Sequence, residues 1–133
     1  VAVRIVRLGT ARAAAEGLRI GTVRRPPRGV PKARYSRDDW YDVWLPELAP
    51  SEATVNLAQA ASTDREWAAF KKRYRSEMNA PERRRLLDLL AALSRSAHFS
   101  VGCYCADEAR CHRSVLRELL AERGAVFARE GKR

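Results

Sequence analysis

The sequence predicts an α/β fold, a single domain with a small, mostly parallel sheet flanked by helices. Three observations carry that expectation. Two alternating apolar segments open the chain, helical patterns fill its middle, and a dense apolar strand followed by one more helix closes it. Strands interleaved with helices in this order favour a layered α/β arrangement. At 133 residues the chain is long enough to bury a core as one domain, taken here as 1–133, with its core over 1–124 and a tail over 125–133.

Val1 to Gly9 alternates apolar and other residues and reads as a first strand; residues 10–16 are a small-residue connector. Leu18 to Val23 alternates again and runs into Arg24-Arg25-Pro26-Pro27-Arg28-Gly29-Val30-Pro31-Lys32. Three prolines and a glycine make that stretch an irregular loop. Asp38 to Leu48 is expected to be a short helix, with Trp40 and Trp44 four apart on one face and packed in the core. Ser51 is a good N-cap for a helix through Ala61. Thr63-Asp64-Arg65-Glu66 matches a capping box, opening a helix to about Met78 with Trp67, Phe70, Tyr74 and Met78 as its apolar stripe.

Pro81 opens a further helix to about Arg95, expected to bury Leu86, Leu89, Leu90 and Leu93. Phe99 to Cys105 has the apolar density of a buried central strand. The last helix is expected over Cys111 to Glu122, with Gly124 terminating it; residues 125–133 add a short strand or fray.

The net charge of +10 is unevenly spread: residues 1–34 carry +8 and residues 35–62 carry −4. Of the 26 basic residues, 22 are arginine, whose planar fork suits phosphate and carboxylate. An anionic small molecule or nucleic acid is therefore the expected partner, against the plainer reading that the charges only solvate the surface. No apolar run approaches the roughly 20 residues a membrane span requires, and no leader-like segment opens the chain. Three cysteines in a domain that needs no staples are expected as reduced thiols in the cytoplasm. The sequence specifies neither a cofactor nor an oligomeric state.

Every cysteine lies in Cys103-Tyr104-Cys105-Ala106-Asp107-Glu108-Ala109-Arg110-Cys111-His112-Arg113, between the last strand and the last helix. Ligands in α/β proteins gather beyond strand carboxyl ends, so the site is expected here. No metal is assigned, because the spacing departs from the usual knuckle and adjacent Cys111 and His112 would point apart on a helix. A phosphatase loop, cysteine then five residues then arginine, starts at neither Cys103 nor Cys105. A generic thiolate survives, with Cys111 or Cys105 as nucleophile and His112 as base, since a helix start lowers a thiol's pKa. The reading with fewest assumptions is anion binding by Arg113 in the first helical turn, facing the Arg24–Lys32 loop. In the structural reading, Cys103 and Cys105 are buried small hydrophobes, His112 caps or hydrogen-bonds, and Arg113 pairs with Asp107 or Glu108.

The ending Val101-Gly102-Cys103-Tyr104-Cys105, then Cys111-His112-Arg113-Ser114-Val115-Leu116, resembles the domain-of-unknown-function family 488. The stretches Arg28-Gly29-Val30-Pro31-Lys32, Trp44 to Ser51 and Trp67 to Tyr74 resemble its YeaO-like branch. That branch usually has aspartate-arginine and a tryptophan before proline-arginine-glycine, where this chain reads Val23-Arg24-Arg25-Pro26-Pro27-Arg28-Gly29. The resemblance implies an α/β fold and pairs Arg25 and Arg28 of the loop with Cys111, His112 and Arg113 of the ending. It implies no activity. Some members carry a porphyrin-methyltransferase label, but no glycine-rich cofactor loop follows the first strand here.

Overall fold

The computed structural model describes residues 1–129. Four strands, β1 (Ala2–Arg7), β2 (Leu18–Gly21), β3 (Val43–Trp44) and β4 (His98–Cys103), form one sheet in the order β1-β4-β2-β3. Every pairing is parallel. The last strand in sequence is thus central, bonded to β1 from Ala2↔His98 to Arg7↔Cys103 and to β2 from Leu18↔Phe99 to Gly21↔Gly102. A strand flanked on both sides reads as a continuous apolar run, which is what 99–103 shows. Four helices complete the fold: α1 (Glu52–Ala60), α2 (Asp64–Met78), α3 (Pro81–Leu93) and α4 (His112–Glu122). No helix among the described residues is long and apolar enough to cross a membrane.

Side chains along a strand alternate between sheet faces, and the two faces differ. Ile20 and Val101 sit side by side in register and join Val3 and Phe99 in a core with Phe70, Tyr74, Leu87, Leu90, Leu116 and Leu120 from α2, α3 and α4. One residue earlier, Arg19 and Ser100 are also register partners, on the opposite face. There Arg19 is fully buried and grips Glu16 through Nε (2.7 Å) and Nη2 (3.0 Å), while its Nη1 donates to the Thr10 and Asp39 carbonyls. Ser100 donates to the same Glu16 carboxylate at 2.6 Å. Irregular chain, 10–16 and 35–42, covers this face and is tied down by the Arg19 bonds.

The helix starts follow their sequence signals. Ser51 accepts from the Thr54 amide, and Thr63 and Glu66 make the reciprocal capping box of α2. Gly124 stands after α4 with φ +77°, a conformation that glycine adopts without strain. Of the tail, Phe127 makes one parallel bridge to Val3; residues 130–133 lie outside the described residues.

Two expectations fail. Asp38 to Leu48 is not a helix: Asp39 has φ +63°, Val43–Trp44 is a strand and Pro46–Leu48 is a single 3-10 turn. The acids there bind elsewhere. Asp42 accepts from the Arg19 amide at 2.8 Å and from both terminal nitrogens of Arg12, while its own amide donates to the Arg19 carbonyl. Those bonds pull the segment into line with β2. Trp40 and Trp44 therefore part: Trp40 packs edge-on to Tyr104, and Trp44 is exposed with Nε1 donating to the Val23 carbonyl. In α3, Leu89 is 58% exposed, and Leu87 is buried in its place. The buried row is Leu87, Leu90, Ala91 and Ser94, a consistent helical face, with Leu86 and Leu93 at its margins.

Candidate functional site

The strand order creates a crevice. Chain leaving β2 turns toward β3, whereas chain leaving β4 passes through α4 to Phe127, which pairs on the far edge of β1. Adjacent parallel strands whose connections depart in opposite directions leave an opening at their carboxyl ends, where open α/β sheets bind ligands. A cavity of about 510 Å³ occupies that position. Val23, Arg24, Arg25 and Arg28 enter it from the segment after β2, and Cys103, Tyr104 and Cys105 from the end of β4. Ala49 and Pro50, just before α1, and Glu52, Asn56 and Gln59 along one side of it close the cavity, and His112 also lines it.

The Arg24–Lys32 loop and the cysteine segment thus meet, as expected from sequence. The Tyr104 hydroxyl donates to the Arg25 carbonyl at 2.8 Å and ties them together. Arg24, Arg25 and Arg28 are exposed, and among the described residues none of them pairs with a carboxylate. Glu52 is the acid in the lining.

Behind the arginines lie the thiols. Cys103 and Cys111 are buried, with sulfurs 2.6 Å apart, and the Cys111 sulfur is 3.8 Å from His112 Nδ1. Cys111 is the N-cap of α4 with extended φ −133° and ψ 155°, so its side chain leaves before the helical spiral begins. Cys111 and His112 therefore converge, contrary to the divergence expected of two neighbours on a helix. His112 is locked by its other nitrogen, since Nε2 lies 2.8 Å from the Thr22 carbonyl and donates to it. Burial holds the imidazole neutral, bringing its pKa down to about 4 against the opposing pull of the Thr22 carbonyl.

Cys105 is the exposed thiol and not a buried small hydrophobe. The neighbouring thiols of Cys103 and Cys111 draw its pKa far below the usual thiol range against the opposing effect of burial, with the Arg113 charge adding to the fall. Cys103 rises in return, through its interactions with Cys105 and Cys111 and through burial. Cys111 also ends above its ordinary value: its bond from Cys103 pulls down, but its bond to Cys105 and burial push up further.

Arg113 is brought near but does not line the cavity. It is buried, and its Nη2 donates to the Cys105 carbonyl at 2.6 Å. Its Nε has no hydrogen-bond partner among the described residues, and neither Asp107 nor Glu108 pairs with it. Glu108 binds Arg117 instead, and Asp107 caps the Ala109 amide. Sequence reasoning missed Arg24, Tyr104, Thr22 and the α1 residues. Only Arg24 had a signal, its place in the arginine loop; the others arrive through tertiary contacts that no local pattern encodes.

One family matches the chain over residues 3–124, described as DUF488-N3a, the active DUF488-N3 subclade. The match bears on the family and not on the YeaO-like branch. No curated protein and no solved structure matches.

Proposed function

We propose, from the premise that this chain belongs to the DUF488 family, that its groove binds a phosphate-bearing ligand, a nucleotide or a nucleic-acid phosphate, through Arg25 and Arg28. The observation that carries the reading is three guanidiniums, without carboxylate partners among the described residues, around a cavity at the sheet's switch point. A preorganised proline-rich loop supports it, because less freedom is lost on binding. Arg113 then supports the site from beneath by holding the Cys105 carbonyl. Three free thiols, one of them exposed, suit a reducing cytoplasmic compartment.

The test is the anisotropy of a labelled single-stranded oligonucleotide titrated at rising salt. Affinity is expected to fall steeply with salt, and Arg25→Ala/Arg28→Ala is expected to weaken binding and flatten the log–log slope by about 1.4. The control Arg84→Ala/Arg85→Ala removes the same charge from α3 and is expected to leave the slope closer to that of the unaltered protein. A double variant in the loop no weaker than this control would sink the reading.

A second reading makes Cys105 a nucleophile in the groove. Its exposure, its lowered pKa and the subclade's description as active favour it over buried Cys111. In chelator-treated, reduced protein, iodoacetamide is expected to modify Cys105 while sparing Cys103 and Cys111. Peptide mass mapping that finds Cys105 unmodified would remove this reading.

A further inference from the structure

We infer that Cys103, Cys111 and His112, completed by Cys105 on the groove side, form a site for a soft divalent cation of the zinc type. The atoms Cys103 Sγ, Cys111 Sγ and a His112 ring nitrogen lie within 4.8 Å of one another, and all three residues are buried. The available nitrogen is Nδ1, because Nε2 is committed to the Thr22 carbonyl. A ligating histidine characteristically donates its other ring N–H to a carbonyl in this way, which fixes both tautomer and ring orientation.

Cys111 Sγ and His112 Nδ1 are already 3.8 Å apart, close to the edge of a tetrahedron built on zinc bond lengths, about 3.6 Å. The Cys103 and Cys111 sulfurs, at 2.6 Å, need to part by only about 1 Å to span the sulfur–sulfur edge. Cys105 lies exposed in the same segment and lines the groove beside Cys103 and His112, which makes it the candidate fourth ligand. Thiolates and imidazole select zinc over magnesium or calcium.

The charge balance points the same way. Three thiolates around a divalent cation carry a net charge of −1, each thiol giving up its proton on coordination. Arg113 is a buried guanidinium with no carboxylate among the described residues, held against the Cys105 backbone. A buried charge requires a counter-charge, and the metal–thiolate unit supplies it. A Cys103–Cys111 disulfide would occupy two of the sulfurs and leave His112 Nδ1, Cys105 and Arg113 unexplained.

The site shares the groove with the arginine loop but uses none of its side chains as ligands, so separate variants test it and the anion reading. Reduced, metal-free protein is titrated with Co²⁺, then with Zn²⁺, and followed by absorbance and thermal melting. One equivalent of Co²⁺ is expected to give a thiolate charge-transfer band and intense tetrahedral visible bands, displaced by Zn²⁺. Cys103→Ser and Cys111→Ser are expected to abolish the band, Cys105→Ser to weaken affinity by about ten-fold or more, and Arg25→Ala/Arg28→Ala to leave it intact. If the buried-cysteine variants do not fold, the unaltered protein decides alone: its Tm rises with Zn²⁺ and falls back with chelator. Absence of both the cobalt band and the zinc-dependent Tm rise overturns the inference. So does a band that persists in folded Cys103→Ser and Cys111→Ser.

Discussion

Replacing Arg19 with alanine is expected to destabilise the protein by about 3–5 kcal/mol, seen as a lowered urea midpoint. The reason is asymmetry. Arg19 and Glu16 form an ion pair whose side chains are essentially inaccessible, so removing one partner leaves the other charged and buried. The Thr10 and Asp39 carbonyls lose their donor at the same time, and they belong to the irregular layer over the sheet. Glu16→Gln isolates the electrostatic part, because the shape persists while the charge goes.

The same pair sets an acid limit. The Glu16 carboxyl is held below its ordinary value: burial pushes it up, but bonds from Arg19, Ser100 and the Ala13 amide outweigh this. Asp42 is pulled down to about 2, again against burial, by Arg12, Ser36 and the Arg19 amide. A carboxylate with a depressed folded pKa stabilises fully above its unfolded value and loses that contribution as pH falls through the folded one. Urea midpoints are therefore expected to hold down to about pH 5 and then to fall steadily toward pH 2. The fall should be shallower in Glu16→Gln.

Tyr74→Ala is the second large loss, about 3–5 kcal/mol. Tyr74 is fully buried, its ring lies parallel to Phe70 and meets His112 edge-on at 5.6 Å. Its hydroxyl donates to the Leu48 carbonyl at 2.7 Å, and Leu48 immediately precedes the Ala49–Pro50 wall of the groove. One side chain thus braces both the imidazole and the wall. Tyr74→Phe removes only the hydroxyl and is expected to cost about 1–2 kcal/mol, the Leu48 carbonyl being left unpaired. The His112 ring resonances should shift in Tyr74→Ala and stay near their original positions in Tyr74→Phe. Equal shifts in both variants would contradict the bracing role.

Much of this fold is legible residue by residue because its signals are local. Ser51, Thr63 with Glu66, Pro81 and Gly124 mark helix ends through bonds or backbone geometry confined to a few positions. The dense run at 99–103 announced a strand buried from both sides. Asp38 to Leu48 misled because its helical spacing was real, while the bonds of Asp42 to Arg12 and Arg19 span more than twenty residues. In α3, consecutive leucines satisfy several helical faces, and only packing chooses Leu87 over Leu89.

The site divides in the same way. That the arginine loop and the cysteine segment share one end of the sheet follows from both succeeding strands. The convergence of Cys111 with His112 does not, since it depends on the first being an N-cap and the second the first residue of the helix. A one-residue difference in where a helix begins lies below the resolution of any periodicity.

The placement of β4 also governs how the protein is made. β1 and β2 are not neighbours; each bonds to β4, which begins at His98. On a ribosome, β1 to β3 and α1 to α3 are all synthesised before the strand that unites the sheet emerges, so the first two strands wait with unsatisfied edges while the helices form. Such dependence on distant partners slows folding and exposes the nascent chain to aggregation. The cysteine segment begins at the last residue of that strand, so the groove is assembled only when β4 joins the sheet rather than built beforehand.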